Sequence, residues 1–267
     1  MSNYKLATYD YVEVDGFKSV IDQKGYKYPK GPAENEVVTI SSHFNDYDFD
    51  YVHPLVSAIF EEPMSMTEFT GGTVTLRTDL TTDGAPIVID ENCQPVLVNL
   101  NGKKIEGSVF TESNGEITEG NSDSYVFWVK NGGELTIEGS GEVVAKEATY
   151  SMAVWANGGK VVIKEGKFYN NGNNSDLIYA SNGGQVEIYG GEFHANENKG
   201  DIGTKNAFPA LNIKDKDRAT TSIRVFGGKF YGFNPADNLS EGPNTNFVAE
   251  GYESVEVEPN VWEVREK

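Results

Sequence analysis

Three glutamates in the second half of the chain are the residues best spaced for acid–base chemistry. Glu187 and Glu192 lie on one short segment, and Glu165 precedes them by nearly one period of the repeat described below. Glycoside hydrolysis needs two carboxyl groups about 5 to 9 Å apart, one acting as acid and the other as base or nucleophile. With 41 Asp and Glu residues, however, such pairs arise by chance. We therefore interpret these glutamates as solvated surface and predict no catalytic residue; if the protein is an enzyme, they are the candidates.

A calcium site is suggested by the stretch FNDYDFDYV, in which three aspartates alternate with aromatic residues at positions 44–52. An EF-hand loop requires Gly after the third aspartate and Glu at its twelfth position, whereas this chain has Tyr51 and Ser57 there. Strict alternation instead indicates an edge strand with its aspartates on one face. The sequence therefore predicts no calcium loop here.

Histidine and cysteine are too scarce to build another metal centre. His43 and His53 do not have the spacing of a short metal-ligand motif, and His194 lies far from both. Cys93, the single cysteine, precedes the apolar run PVLV, which favours a buried thiol over a reactive one. We predict neither a metal nor a cofactor.

Three large aromatic residues, Trp128, Trp155 and Tyr179, precede three copies of Asn-Gly-Gly. Aligned on these copies, Trp128 and Tyr179 share a column and Trp155 falls one position later. An exposed row of aromatic rings suits stacking on sugar rings, so these residues are candidates for glycan binding. The alternative is that one of the columns points inward and fills the core.

The elements that must position these residues form a repeat. The three Asn-Gly-Gly copies begin at Asn131, Asn157 and Asn182, and the alternating strands ELTI, KVVI and QVEI follow them. A period of about 25 residues is typical of a solenoid, whose units bury their apolar faces only by stacking. Because every unit is strand and turn, the pattern predicts an all-β stack of coils about 4.8 Å apart. Asn and Gly tolerate the positive φ of a sharp corner, and stacked asparagines can hydrogen-bond between coils.

A second phrase repeats at constant offset behind each strand: KEGKFYN, YGGEFHA and, after a longer interval, FGGKFYG. It places Phe168, Phe193 and Phe230 in one predicted column. The following residues form a predicted outward column of Tyr169, His194 and Tyr231. Between Asn196 and Thr221 the repeat is broken, and we expect the extra length to bulge as a loop.

Composition excludes several partners. The formal net charge is −19, which argues against nucleic acid and anionic membranes because both require clusters of Lys and Arg. No apolar run reaches membrane-spanning length, and the first residues have neither the basic nor the apolar region of a signal peptide. We expect synthesis in a cytoplasm without a signal peptide and no membrane association.

Three regions follow from these patterns. Residues 1–70 show no repeat and are rich in aromatics; we expect them to cap the first coil or to dock onto a partner, cap and dock being equally open. Residues 71–231 carry the coils, and residues 232–267 end in a loop and a hairpin that turns at Pro259-Asn260 and covers the open sheet edge. The candidate partner-binding residues of the first region are Tyr4, Tyr9, Tyr11, Phe17, Tyr26 and Tyr28.

The coil phrases, together with the closing segments NFVAEGY and WEV, resemble right-handed parallel β-helix proteins of the pectate-lyase-like superfamily. More narrowly, they are similar to small β-helical proteins of tailed bacteriophages of gut anaerobes, which serve as virion fibres, spikes or decorations. The resemblance covers residues 71–267 and implies a homotrimer attached to the particle by its N-terminal part. Enzymes on this fold carry clustered aspartates with a basic residue or paired carboxylates, and neither signature stands out here.

The sequence therefore favours a non-enzymatic virion structural protein, a trimeric head or tail fibre or decoration. It docks on a capsid or tail protein through residues 1–70 and displays an acidic shaft that can contact host glycans. One alternative is a polysaccharide depolymerase, a hydrolase or lyase working beside the three glutamates. Another is a bacterial surface adhesin that binds glycans through the three aromatics.

Overall fold

The structure is a computed structural model that describes residues 72–76, 79–82, 86–109, 123–171, 176–194 and 209–267, with the backbone of two strands near the N-terminus. These two strands, β1 (Asp10–Val14) and β2 (Phe17–Ile21), pair as an antiparallel hairpin. Tyr11 and Phe17 lie on these strands. The side chains of all six predicted partner-binding residues lie outside the described part, as does the predicted strand at 44–52.

The chain then passes three times through the same succession of short strands. The first circuit comprises β3 (Gly72–Thr75), β4 (Leu80–Thr81) and β5 (Ile87–Ile89). The second comprises β6 (Val96–Asn99), β7 (Lys103–Glu106) and β8 (Asp123–Lys130). The third comprises β9 (Glu134–Glu138), β10 (Gly141–Ala145) and β11 (Tyr150–Asn157).

Three more circuits follow, the last of them incomplete. The fourth comprises β12 (Lys160–Ile163), β13 (Lys167–Asn170) and β14 (Ile178–Ser181). The fifth comprises β15 (Gln185–Ile188), β16 (Glu192–His194) and β17 (Leu211–Ile213). A turn of 3-10 helix at Asp215–Asp217 leads to β18 (Ser222–Val225) and β19 (Gly228–Tyr231). The chain ends with β20 (Tyr252–Glu258) and β21 (Val261–Glu266).

Each strand from β3 to β16 pairs in parallel with the strand three places further along, so the circuits stack into three sheets. The first sheet runs β3-β6-β9-β12-β15-β18, the second β4-β7-β10-β13-β16-β19, and the third β5-β8-β11-β14-β17. The prediction of an all-β, parallel-stranded chain is confirmed, and the described residues contain no α-helix. Within the described residues, no helical segment has the length and apolar character needed to cross a membrane.

The core lies between the three sheets because alternate strand residues point inward. In the first sheet, Ile137, Ile163 and Ile188 occupy consecutive rungs of one column and have no exposed surface. In the second sheet, Phe168, Phe193 and Phe230 align in the same way, which confirms the predicted column. Every rung therefore adds its apolar side chains to a single continuous core.

The Asn-Gly-Gly corners before the first-sheet strands have the predicted positive φ at the asparagine in two of the three copies. Asn131 and Asn182 have φ of 50° and 52°, the left-handed conformation that asparagine tolerates. Asn157 differs, because it is the last residue of β11 and pairs with Lys130 and Ser181. Its Oδ1 accepts hydrogen bonds from the Asn182 side-chain amide and the Ser181 hydroxyl, so a side-chain link does join successive corners.

Two sequence-based expectations about the circuits are wrong. The corner at Asn157 is one residue shorter than its neighbours, so Trp155 aligns directly with Trp128 and Tyr179 instead of one position later. The segment from Asn196 to Thr221 is not simply a loop that breaks the repeat, because it contains β17, which pairs with β14 in the third sheet. A three-residue strand between polar segments gives too short an alternation to identify without its partner.

The C-terminal residues extend two of the sheets. Val248 forms a parallel bridge with Val225, and β21 pairs antiparallel with β19. Strands β20 and β21 form a hairpin that turns at Pro259-Asn260, where Asn260 has φ of 60°. The second sheet therefore ends in two antiparallel strands.

Candidate functional site

A groove of about 410 Å³ lies where the chain turns from the first sheet to the second. Four stacked glycines, one from each of four successive circuits, line it together with five charged side chains. The charged residues are Glu165, Lys167, Glu192, Lys229 and Glu263. The groove therefore offers carboxylates and ammonium groups in nearly equal number.

The structure brings two of the three candidate glutamates to this groove. Glu165 lies at the turn after β12, and Glu192 is the first residue of β16. Glu187 lies instead on the outer face of β15, where it pairs with Arg224 and accepts a hydrogen bond from the Tyr189 hydroxyl at 3.1 Å. The expectation of one groove beside all three is wrong, because Glu187 lies on β15 in the first sheet whereas Glu192 lies on β16 in the second.

Glu192 is engaged in a cross-strand ion pair. Its Oε2 lies 3.5 Å from Nζ of Lys167 on the preceding rung and 3.6 Å from Nε2 of His194. The Glu192 carboxylate raises the pKa of the Lys167 ammonium. Pairs of this kind are an ordinary means of stabilising a sheet surface.

The three candidate glycan-binding aromatics stand together on the outer face of the third sheet. The Trp128 and Trp155 rings stack with centroids 5.5 Å apart, and Tyr179 follows at 6.0 Å. Tyr125 meets Trp155 edge-on at 5.0 Å, and the indole N–H of Trp155 donates to Ser181 Oγ at 2.9 Å. Trp155 is only 7% exposed. It therefore cannot offer a ring face to a sugar, whereas Trp128 and Tyr179 are partly exposed.

A second aromatic column stands on the outer face of the second sheet, as predicted. The His194 ring stacks between those of Tyr169 and Tyr231, with centroids 4.5 and 4.1 Å apart. Burial raises the pKa of the Tyr169 hydroxyl. All three side chains are partly exposed. The column forms a flat strip beside the charged groove.

Sequence reasoning missed a polar network at the end of the third sheet. The Asn212 amide donates to Asp176 Oδ2 at 2.9 Å, and the backbone N–H of Ile213 donates to Glu241 Oε1 at 2.6 Å. Glu241 also pairs with Arg218 at 2.6 Å. These residues are too far apart in sequence to form a motif. The Glu241 side chain thus supplies an acceptor at the edge of β17.

Asp176 should make the stability of the fold pH-dependent. Burial raises the pKa of this carboxyl from its ordinary 3.8 to about 7, against the opposing Asn212 hydrogen bond and with help from Glu241. The folded chain therefore holds the proton more tightly than the unfolded chain, and this contribution is lost as pH rises from about 4 through 7. We expect Asp176→Asn, which stays neutral and still accepts from Asn212, to gain up to about 4 kcal/mol over wild type across that range.

Urea unfolding of both proteins at intervals from pH 4 to pH 8 measures this difference. Glu258→Gln, which removes an exposed carboxylate of the hairpin, is the control with the same change in charge. Its difference from wild type should stay nearly constant. A constant difference for Asp176→Asn as well would contradict the raised pKa.

Most of the metal candidates considered in the sequence lie outside the described residues. Within the described residues, no group of three or more His, Cys, Asp or Glu side chains is arranged to hold a metal ion. His43 and His53 lie outside that part of the chain. Cys93 packs partly buried against the core, and burial raises the pKa of its thiol, which disfavours the reactive thiolate.

Comparison with known proteins adds no relative. No protein-family model matches the chain, and neither the curated proteins nor the solved structures contain a match. The functional argument therefore rests on the geometry of the chain.

Proposed function

We propose that residues 71–231 form a right-handed parallel β-helix capped by the loop and hairpin of residues 232–267, and that the protein is a non-enzymatic structural rod of a bacteriophage particle. The β-helix is supported by three sheets visited in the same order in every circuit, with parallel pairing at a constant interval of three strands. The right hand follows the general rule for connections between parallel strands of one sheet. The phage assignment extends the sequence resemblance.

The observation that carries the proposal is the unbroken register of the stack. All parallel pairs between the second and fifth circuits match column for column in the first and second sheets. Backbone hydrogen bonds and core side chains then repeat about every 4.8 Å along one direction. Such a stack resists bending and proteolysis, which suits a shaft or decoration.

The outer surface of the stack supports the same proposal. Lys164 pairs with Glu138 at 3.1 Å on the neighbouring rung, and Arg224 pairs with Glu187. These side chains are neutralised within the chain and hold adjacent rungs together. The remaining negative charge limits nonspecific adhesion to anionic cell envelopes.

A particle-labelling experiment tests the proposal. We expect antibody against the full chain to label phage particles from a culture that makes the protein, and the purified chain to be a trimer by light scattering. A chain lacking residues 1–70 should lose attachment in competition with the full chain. Label confined to the soluble fraction, or attachment unchanged by the truncation, would contradict the virion role or its docking region respectively.

The groove favours one second candidate, a polysaccharide depolymerase that uses Glu165 and Glu192. Both carboxylates line the same groove of about 410 Å³, and glycoside hydrolysis uses two carboxyl groups that flank the scissile bond. Incubation with bacterial surface polysaccharides should then release reducing ends, and Glu165→Gln and Glu192→Gln should abolish the release. Glu187→Gln, outside the groove, is the matched control. The structural proposal predicts no release by any of the four proteins.

A further inference from the structure

The outer face of the second sheet carries a column of charges whose sign alternates at every rung. Its members are Asp79, Lys104, Glu142, Lys167, Glu192, Lys229 and Glu263. The strand register sets five of the six neighbour pairs, from Lys104–Glu142 through to Lys229–Glu263. Asp79 precedes the pair Leu80–Ile105 and accepts the backbone N–H of Lys104 at 2.9 Å. The column therefore crosses seven strands without an interruption in sign.

A second, less polar column runs parallel to it. In register beside it on the same strands lie Glu106, Val144, Tyr169, His194, Tyr231 and Val261, all partly exposed. The two columns together form a flat strip, which we name the ladder face. Tyrosine is enriched at protein interfaces.

The charges of the ladder face remain accessible after pairing within the chain. Lys167 and Lys229 are 47% and 45% exposed, and their contacts with Glu192 and Glu263 are 3.5 and 4.0 Å long. Each group thus keeps donor or acceptor capacity toward solvent. A partner that carries charges of alternating sign at the same spacing would form an ion pair with each of these groups.

We propose that the ladder face binds the ladder face of a second copy of the chain in antiparallel orientation. A two-fold axis in the plane of the interface, perpendicular to the stacking direction, reverses the order of the rungs and keeps each column opposite itself. The six charges from Lys104 to Glu263 alternate in sign, so reversing their order places a positive charge opposite a negative charge at every rung. Lys104 then faces Glu263 of the second copy, Glu142 faces Lys229, and Lys167 faces Glu192.

The same axis also brings the two less polar columns together. Tyr169 faces His194 of the second copy, Val144 faces Tyr231, and Glu106 faces Val261. Two copies that stack in the same direction lack this match. Closed symmetry allows no shift along the stacking direction, so their facing charge columns would place like charges opposite each other. The proposal is therefore independent of the proposed function: a trimer would form through other faces, and the ladder face would join one rod to another.

Chemical cross-linking of the full chain tests the orientation. A zero-length carbodiimide, which joins Lys and Glu side chains as an amide with loss of water, should link Lys104 to Glu263. Within one chain these residues are five rungs apart, about 24 Å, so that product forms only between antiparallel copies. Peptide mapping that finds Lys104 joined only to carboxylates of its own surroundings, Asp79, Glu106 and Glu142, would overturn the proposal.

Light scattering over a range of concentrations compares the mass of wild type with that of matched variants. Wild type should at least double in mass, because a monomer carries one ladder face and pairs, whereas a trimer carries three and forms larger assemblies. Lys167→Gln with Lys229→Gln should abolish the doubling. Lys160→Gln with Lys164→Gln makes the same change in charge on the first sheet and should leave it intact. No doubling in wild type, or equal loss in both double variants, would overturn the proposal.

Discussion

Gly184→Ala is expected to destabilise the fold by about 3 kcal/mol or more, whereas Gly183→Ala, one residue earlier, is expected to cost only about 1 to 2 kcal/mol. The two glycines belong to the same Asn-Gly-Gly corner but meet different constraints. Gly183 has φ of 83° and no atom within 4 Å of an added Cβ, so alanine there suffers only backbone strain. At Gly184 an added Cβ would lie 2.1 Å from the carbonyl oxygen of Ala156 on the rung below.

The clash at Gly184 cannot relax locally. The obstructing atom is backbone, and the carbonyl carbon of Ala156 lies only 2.8 Å from the same added Cβ. The rungs would have to separate, and the registered columns of the core would separate with them. Gly133 has the same environment, with an added Cβ 2.5 Å from the carbonyl oxygen of Ile89.

Guanidinium unfolding of the two alanine variants beside wild type measures the difference. The midpoint for Gly184→Ala should fall far below that for Gly183→Ala, and Gly133→Ala should behave like Gly184→Ala. Equal midpoints for the two neighbours would mean that close stacking does not select the second glycine of the corner.

Phe193→Ala is the second substitution with a large expected effect, a loss of about 3 to 5 kcal/mol. The Phe193 ring is fully buried between Phe168 and Phe230, with centroids 5.1 and 4.7 Å away. Alanine would leave a cavity in the middle of the column, and the stacked rungs on both sides cannot close it because backbone pairing fixes their spacing. Phe193→Leu should cost less, since leucine fills most of the volume.

The control for this substitution is Tyr150→Ala, which removes an aromatic ring that is 44% exposed on β11. Its free energy of unfolding should stay within about 1 kcal/mol of wild type. Thermal and guanidinium unfolding of the three variants give the comparison. A loss for Phe193→Ala no greater than that for Tyr150→Ala would contradict a tightly packed phenylalanine column.

Much of the stacking followed from local patterns. The alternation of ELTI, KVVI and QVEI identified three first-sheet strands, and the constant offset to the next phrase placed Phe168, Phe193 and Phe230 in one column. Both patterns are visible because the residues recur at nearly equal intervals. The same regularity placed His194 in the outward column between Tyr169 and Tyr231.

The third sheet and the fine register were harder to read. Strand β17 has only three residues, and Asn157 has the same type as Asn131 but occupies the last strand position instead of the corner. One residue fewer at that corner moves Trp155 into line with Trp128. Residue type alone cannot reveal this shift, since it depends on the hydrogen bonds made with the neighbouring rungs.

The all-β class, the period and the core columns could be predicted from local patterns, because period and alternation are properties of neighbouring residues along the chain. Three other relations became visible in the folded chain: Glu165 and Glu192 share a groove without Glu187, Asp176 contacts Asn212, and seven charges form an alternating ladder. These relations join residues from different circuits, and insertions of unequal length separate those residues in sequence. Their proximity is therefore set by how the rungs stack and by which face each side chain takes.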